Sequence, residues 1–525
     1  ERAIRYTPFN PDGLARVACE AMGTKSCTRF EKVYEGSLWG LTSEISAGAF
    51  NKTFRLTLDD SMNVIARVPC PIAGPSYLVT ASEVATRQFV KEAFDLPVPR
   101  VIAWSGARRD PASEVNVGTD YIIEEEAPGV PLSERWRTIP TSDEVKPSIL
   151  GVLNAVEKFS SLRFSQIGSI FFKEDVSPEL RDIPLLVGDV DQATLRLSKK
   201  YCIGPMMDPQ WWRGDRAHTL LDHGPWPDPV SFFLAAAKNE QEVLSHYQQQ
   251  DPSSNMYRRK PAHDLVTHFK LLTMYIRAVP HVLPTSNDDI CSPTLWHPDL
   301  SLPNIFVPPS GPTNLQSIVD WQHTAVVPYF MCGTIPSAFV YDGMMINMDN
   351  WFPALPSNFE EMSAHQQAEC RLELRLATRQ RMYEGKTMLD PRRRLSDSLP
   401  YQPELALLPT YVSRAWADGI FDFREALVHL HNNWTTIVGR DTSCPIKFSA
   451  EEIKEHEEQL EAFRCYQEAV NTIDFGMGLG EDGWLPHERY DYARSQISNS
   501  EKSWDAQMTG SPFPYKDGEY SLGLS

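Results

Sequence analysis

The pattern of hydrophobic and polar positions changes its period near residue 127. Before that point the apolar positions partly alternate over short segments. Residues 49–58 read AFNKTFRLTL, with Phe50, Phe54, Leu56 and Leu58 set among polar neighbours. Asp59-Asp60-Ser61 supplies turn residues, and Asn63 to Val68, NVIARV, reads as a returning strand, so the two segments predict a hairpin. Ahead of it, Phe9 to Met22 predicts a helix with Asn10 or Asp12 as its cap and Leu14, Val17 and Met22 as its apolar positions. Behind it, Ala81 to Phe94 predicts a second helix, and Val98 to Trp104 and Thr119 to Glu124 two further strands.

Beyond Ala127, helical spacing dominates. Ser148 to Phe159, Val230 to Gln248, Ala262 to Ile276, Glu360 to Tyr383 and Glu451 to Ile473 all predict helices. Two short apolar runs, Asn304 to Val307 and Gln316 to Val319, predict a β-pair between them. The 41 prolines gather in the connections, and no internal repeat is visible. The expected organisation is a small β-rich lobe, 1–126, followed by a large helical lobe, 127–525. The latter carries an insertion at about 170–290 and a C-terminal helical extension.

Composition narrows the classes. At 525 residues the chain exceeds the ~100–200 residues usual for one domain. No apolar run approaches the ~18 residues of a membrane span; SFFLAAA, Ser231 to Ala237, is typical. A formal net charge of −19 argues against a general nucleic-acid binder, which needs clustered Lys and Arg. The nine cysteines are scattered without a Cys-x-x-Cys pair, which reads as reduced thiols in a reducing compartment. The chain begins at Glu1, so a removed targeting leader and a trimmed start both remain open.

The strongest chemical signal is LWHPDLSLPNIFV, Leu295 to Val307, which contains His297-x-Asp299 and then Asn304. The strand-like Ser317-Ile318-Val319 then runs straight into Asp320 of IVDWQ. Taken singly, these residues suit a turn, a strand start and a loop cap. Their order suits phosphoryl transfer, which needs a carboxylate to orient an acceptor hydroxyl and oxygen ligands to hold Mg²⁺ against phosphates. Asp299 would be the base, Asn304 and Asp320 the metal ligands, and His297 a brace for the loop.

This pattern resembles the aminoglycoside phosphotransferase and choline kinase group. Further blocks, among them GAFNKTF (Gly48 to Phe54), VIARVPCPIAGP (Val64 to Pro75), TASEVATRQFV (Thr80 to Val90), YIIEEEAPGVPL (Tyr121 to Leu132) and IGPMMDPQWW (Ile203 to Trp212), resemble the fungal altered inheritance of mitochondria protein 9 type. The resemblance implies an α+β, protein-kinase-like two-lobed fold with a small β-rich N-lobe and a large, extended helical C-lobe. It implies ATP and Mg²⁺ as cofactors, a small-molecule acceptor, and a mitochondrial location, with the cytoplasm as the alternative. It assigns Gly48, Phe50 and Asn51 to a loop over the phosphates, though with one glycine instead of several. Arg67 takes the place of the strand lysine, with Glu83 as its helix partner. Glu125 and Ala127 offer backbone groups to the adenine at the hinge.

Two departures keep other classes open. Arg in the lysine position and the sparse loop suit a catalytically silent nucleotide-binding scaffold, with a protein partner on the helical insertion. A protein kinase is disfavoured, because Pro328-Tyr329-Phe330 follows Asp320 too soon for a peptide-docking segment. Within the insertion, Trp211, Trp212 and Trp226 sit among Pro, Gly and charge, and suit either a ligand-bordering loop or a plug for the enlarged core.

Overall fold

The computed structural model describes residues 6–33, 50–59, 61–106, 116–217, 220–249, 265–284, 289–332, 335–343, 345–346, 351–399, 404–477 and 490–514. Helix α1, Pro11–Met22, opens the small lobe, and the Asn10 side chain accepts from the Gly13 N–H as its cap (3.1 Å). The strands are β1 (Cys27–Val33), β2 (Asn51–Leu58), β3 (Asn63–Pro69), β4 (Val101–Trp104) and β5 (Ile122–Glu125). They form one antiparallel sheet in the order β1-β2-β3-β5-β4.

The central strand β3 is buried on both faces. Val64, Ala66 and Val68 pack with Leu14 and Ala18 of α1. Period-two alternation therefore turns Ile65 and Arg67 to the other face, toward helix α2, Ser76–Phe94. Strand β1 escapes the pattern analysis because it is an edge strand, CTRFEKV, carrying Arg29, Glu31 and Lys32; charge on an edge blocks further strand addition and hides the alternation. The strand expected from Val98 begins only at Val101, since Pro97 and Pro99 cannot donate to a ladder. The Pro97 carbonyl instead accepts from Ile318 N–H at 2.9 Å, which ties the two lobes together.

The chain leaves the small lobe through Pro128-Gly129. Gly129 has φ +88°, and a Cβ there would stand 2.3 Å from the Val307 carbonyl oxygen. Only glycine fits this close, left-handed turn. Gly129→Ala is expected to cost about 1–3 kcal/mol of stability, measured as a lowered melting temperature; an unchanged one would show that the junction relaxes freely.

The large lobe contains helices α3 (Ser142–Ser161), α4 (Pro229–Gln249), α5 (Leu265–Val282), α6 (Ala364–Thr387), α7 (Glu404–Asp418), α8 (Phe421–Ile437), α9 (Ala450–Met477) and α10 (Tyr490–Ser503). Helix α6 starts four residues later than its apolar pattern suggests, because Ser363 and Gln366 form a reciprocal capping box. The expected start of α5 at Ala262 falls outside the described residues. Apolar side chains of α4, α5, α7 and α8, including Phe233, Tyr275, Leu408 and Phe423, make one core. A second core joins α3 to the end of α2 and to Leu295, Leu300, Ile305, Ile318 and Trp321 around the His297 loop.

Between α3 and α4, strands β6 (Ser169–Phe172) and β7 (Tyr201–Gly204) pair antiparallel. Phe171 and Cys202 from this pair, with Val176 and Met207, pack on Ala73, Val79 and Ala81 at the start of α2. This part of the insertion is therefore a brace between the lobes. Trp211 is a core residue, 4.6 Å ring to ring from Trp226 and 5.5 Å from Phe232. Trp212 turns the other way. It stacks on His223 at 3.7 Å, lies against the small-lobe turn at Gly74, and donates from Nε1 to the Met206 carbonyl. Trp211 and Trp226 thus serve as the core plug, and Trp212 serves the brace.

Four further short strands frame the His297–Asp320 region: β8 (Pro293–Trp296), β9 (Ile305–Val307), β10 (Ser317–Ile318) and β11 (Ala325–Pro328). The pairs are β8 with β11 and β9 with β10, the latter being the pair expected between the helices. Among the described residues no helix is long and apolar enough to cross a membrane. The whole is an α+β, two-lobed arrangement: an antiparallel sheet and its helix over a larger helical body.

Candidate active site

Strand β8 delivers the chain to the His297–Asn304 loop. Leu295 and His297 share its inward face and are both fully buried. The His297 Nδ1 accepts from the Asp299 N–H (3.1 Å), and its Nε2 faces the Val319 carbonyl (3.1 Å). With an N–H on one side and a carbonyl on the other, only the neutral Nε2–H tautomer satisfies both. Burial lowers the His297 pKa, in keeping with that neutral form. His297, fully buried, is a brace and has no path to a substrate. The edge of its ring meets Trp321, with centroids 4.8 Å apart.

Asp299 is exposed two residues further on. Asn304 reaches back to it, its Nδ2 donating to the Asp299 carboxylate (2.8 Å) and carbonyl (3.0 Å). The Asn304 carbonyl accepts from the Val319 N–H at 3.0 Å. The loop and the end of β10 are thus laced together by His297 and Asn304, which brings Asp320 beside them. Asp320 has φ +57° and His323 φ +62°, a left-handed conformation that Asp and His tolerate better than branched residues.

Arg67 meets this segment from above. Its Nη1 donates to Glu83 of α2, and its Nη2 donates to Asp320 Oδ1 at 2.5 Å. One helical turn along, Arg87 lies 3.7 Å from Glu83 and pairs directly with Glu124 of β5. The result is a ladder of alternating sign, Asp320–Arg67–Glu83–Arg87–Glu124, and all of it except Asp320 is buried. Burial alone would lower the Arg67 pKa, but Glu83 and Asp320 outweigh it and raise it, so the guanidinium stays charged. Burial pushes the Glu83 carboxyl up against the pull of Arg67 and Arg87. Such a chain is tolerable only because each buried charge has a partner of opposite sign.

Of the residues expected over the phosphates, Gly48 lies outside the described residues. Phe50 and Asn51 stand at the start of β2 and touch the segment after Asp320. Asn51 exchanges amide hydrogen bonds with Gln322 (2.8 and 3.3 Å), and Phe50 meets the His323 ring edge-on, 4.8 Å between centroids. At the hinge, the Glu125 N–H is taken by the Arg100 carbonyl (3.0 Å), and its side chain binds Arg100. The N–H of Glu125, one of the backbone groups expected to face an adenine, is therefore already taken.

Among the described residues no group of three or more His, Cys, Asp or Glu is placed to hold a metal ion. Asn304 and Asp320 alone fit the way Mg²⁺ is held in nucleotide sites, by one or two protein oxygens with phosphates and water completing the shell. Asp320, 39% exposed at its side chain, keeps room for such a role.

Arg87, Glu124, Gln322 and His323 join the site without having been expected from the sequence. Arg87 could have been suspected from its i+4 spacing to Glu83 in an otherwise apolar helix. The polar Gln322-His323 pair directly after Asp320 was a signal in plain view.

No protein-family model matches the chain. It is 26% identical over 521 residues to a subtelomeric hrmA-associated cluster protein of Aspergillus fumigatus, covering 91% of this chain and 97% of the relative. It is 24% identical over 516 residues to altered inheritance of mitochondria protein 9, mitochondrial, of Yarrowia lipolytica, covering 94% and 83% respectively. The Candida tropicalis protein of the same name is 23% identical over 490 residues, covering 86% and 74%. Among solved structures, a macrolide 2'-phosphotransferase from Brachybacterium faecium aligns over 79% of this chain and 96% of its own, at 12% identity and a TM-score of 0.33. The chain is thus similar, over nearly its whole length, to fungal proteins named for altered inheritance of mitochondria protein 9, as its sequence blocks indicate.

Proposed function

We propose that the chain is an ATP-dependent phosphotransferase acting on a hydroxyl of a small-molecule acceptor, in mitochondria. The observation that carries this reading is the joint placement of Asp299, Asn304 and Asp320 on two laced segments beneath the Arg67–Glu83 pair. Asp299, exposed and steadied by Asn304, would orient the acceptor hydroxyl and take its proton. Arg67 would steady the nucleotide phosphates. Asn304 and Asp320 would hold Mg²⁺, which when bound neutralises phosphate charge. The mitochondrial location is inferred from the names of the relatives. The test is a screen of the purified protein with labelled ATP and a metabolite extract, followed by mass spectrometry of new phosphorylated species; no labelled product from any extract would count against the reading.

Asp320→Ala is expected to abolish Mg²⁺-dependent ATP binding, since it removes the anionic metal ligand. Calorimetry with ATP and Mg²⁺ measures it, and unchanged affinity would reduce Asp320 to a partner of Arg67.

A second reading, a catalytically silent nucleotide-binding scaffold, is favoured by one contact. Arg67 holds Asp320 directly, so a candidate metal ligand is already paired with a cation of the protein. The readings separate on turnover: a scaffold binds ATP without releasing or transferring the γ-phosphate.

A further inference from the structure

Three of the four residues from Asp320 to His323 reach across to the small lobe. Asp320 meets Arg67 of β3. Gln322, 6% exposed, pairs its amide with that of Asn51 at the start of β2, donor to acceptor in both directions. The His323 Nε2 faces the Ala73 carbonyl at 3.0 Å, in the 3-10 turn Pro71–Ala73 that follows β3, and its ring packs edge-on against Phe50. Burial pulls the His323 pKa down to about 4, so the ring is neutral and Nε2–H donates to that carbonyl. The Cys70 N–H donates to the Phe50 carbonyl at 2.7 Å, so both chain ends at this edge of the β2–β3 hairpin are joined. Gln322 and His323 thus grip one continuous edge, above the segment that carries Asp320. The brace formed by Phe171, Val176, Cys202 and Met207 holds the same Ala73 turn and the start of α2 from the side of the insertion.

We propose that Gln322 and His323 are positioning residues that latch the Phe50–Asn51 edge and the Pro71–Ala73 turn to the Asp320 segment. The latch sets the height of the nucleotide-covering edge above Asp320 before any nucleotide arrives. A two-way amide pair has a defined length and orientation, which a single ion pair between flexible side chains lacks. The catalytic consequence rests on the phosphotransferase reading; the latch itself does not.

The test is a length swap in the full chain: Gln322→Asn, Asn51→Gln, and both together. Each single variant changes the combined length of the paired side chains by one methylene, and the double variant restores it without any change of charge. The first readout is amide hydrogen exchange without nucleotide in peptides covering residues 50–54 and 71–78. Exchange is expected to be roughly tenfold faster in each single variant and to return close to the parent rate in the double variant. His323→Phe keeps a ring against Phe50 and deletes the bond to Ala73, and is expected to speed exchange in residues 71–78. The second readout is Mg²⁺–ATP affinity by calorimetry, expected to weaken in the single variants and to recover in the double. Parent-like exchange in Gln322→Asn, or a double variant as open as the singles, would overturn the latch. Absence of ATP binding in the parent chain would overturn the phosphotransferase reading instead, while the exchange rates would still decide the latch.

Discussion

Asp299→Asn is expected to lower phosphotransfer by ~10²–10⁴-fold, the usual loss on removing a general base, while Mg²⁺–ATP affinity stays near that of the parent chain. The split follows from the geometry. Asp299 is exposed on its loop, whereas Arg67 and Asp320 form a separate contact at the end of β10. The substitution also conserves the loop. An Asn at 299 keeps a side-chain oxygen for the Asn304 Nδ2, and the Asp299 N–H that binds His297 is backbone. Loss of turnover would therefore report chemistry and not collapse of the site. Once an acceptor is found, single-turnover assays with matched calorimetry make the measurement. Parent-like turnover in the variant would remove Asp299 from the base role.

Arg67→Ala is expected to do more damage of a different kind. It leaves Glu83 buried, with Arg87 at 3.7 Å as its nearest remaining counter-charge. Breaking one partner out of a buried pair costs about 3–5 kcal/mol, and Arg87 should offset part of it. Loss of the phosphate contact should weaken ATP binding by ~1.5–3 kcal/mol, the range for charged hydrogen bonds. The variant should therefore melt markedly lower and bind ATP poorly. Arg67→Lys is the discriminating companion. The guanidinium uses Nη1 for Glu83 and Nη2 for Asp320, a planar fork spanning two carboxylates. A lysine ammonium is a compact point charge and cannot reproduce that fork. Arg67→Lys should fold, melt between the parent and the alanine variant, and bind ATP less well than the parent. ATP binding in Arg67→Lys equal to or tighter than the parent would show that the site still suits lysine and that Arg67 chiefly restrains Asp320.

The sequence by itself determined the elements whose signals are local. The hairpin of β2 and β3 is legible because the alternation and the turn-forming Asp-Asp-Ser sequence between the strands lie within one short window. The His297–Asp320 region is legible because the loop, the β-pair and the second Asp all fall within one continuous stretch. Even the burial of Arg67 could be argued there, since a charge in an apolar strand needs a partner. The tertiary structure decided who the partners are. Arg67 and Asp320 are 253 residues apart, and Asn51 and Gln322 are 271 apart. Periodicity says which face of a strand or helix a residue occupies, but not which distant face will meet it. The insertion makes the same point: its aromatics promised either a ligand border or a core plug. Packing divided them, sending Trp211 and Trp226 into the helical core and Trp212 to the turn at Gly74. That division depends on how β6 and β7 dock on α2, a contact between two apolar surfaces whose pairing neither surface encodes alone.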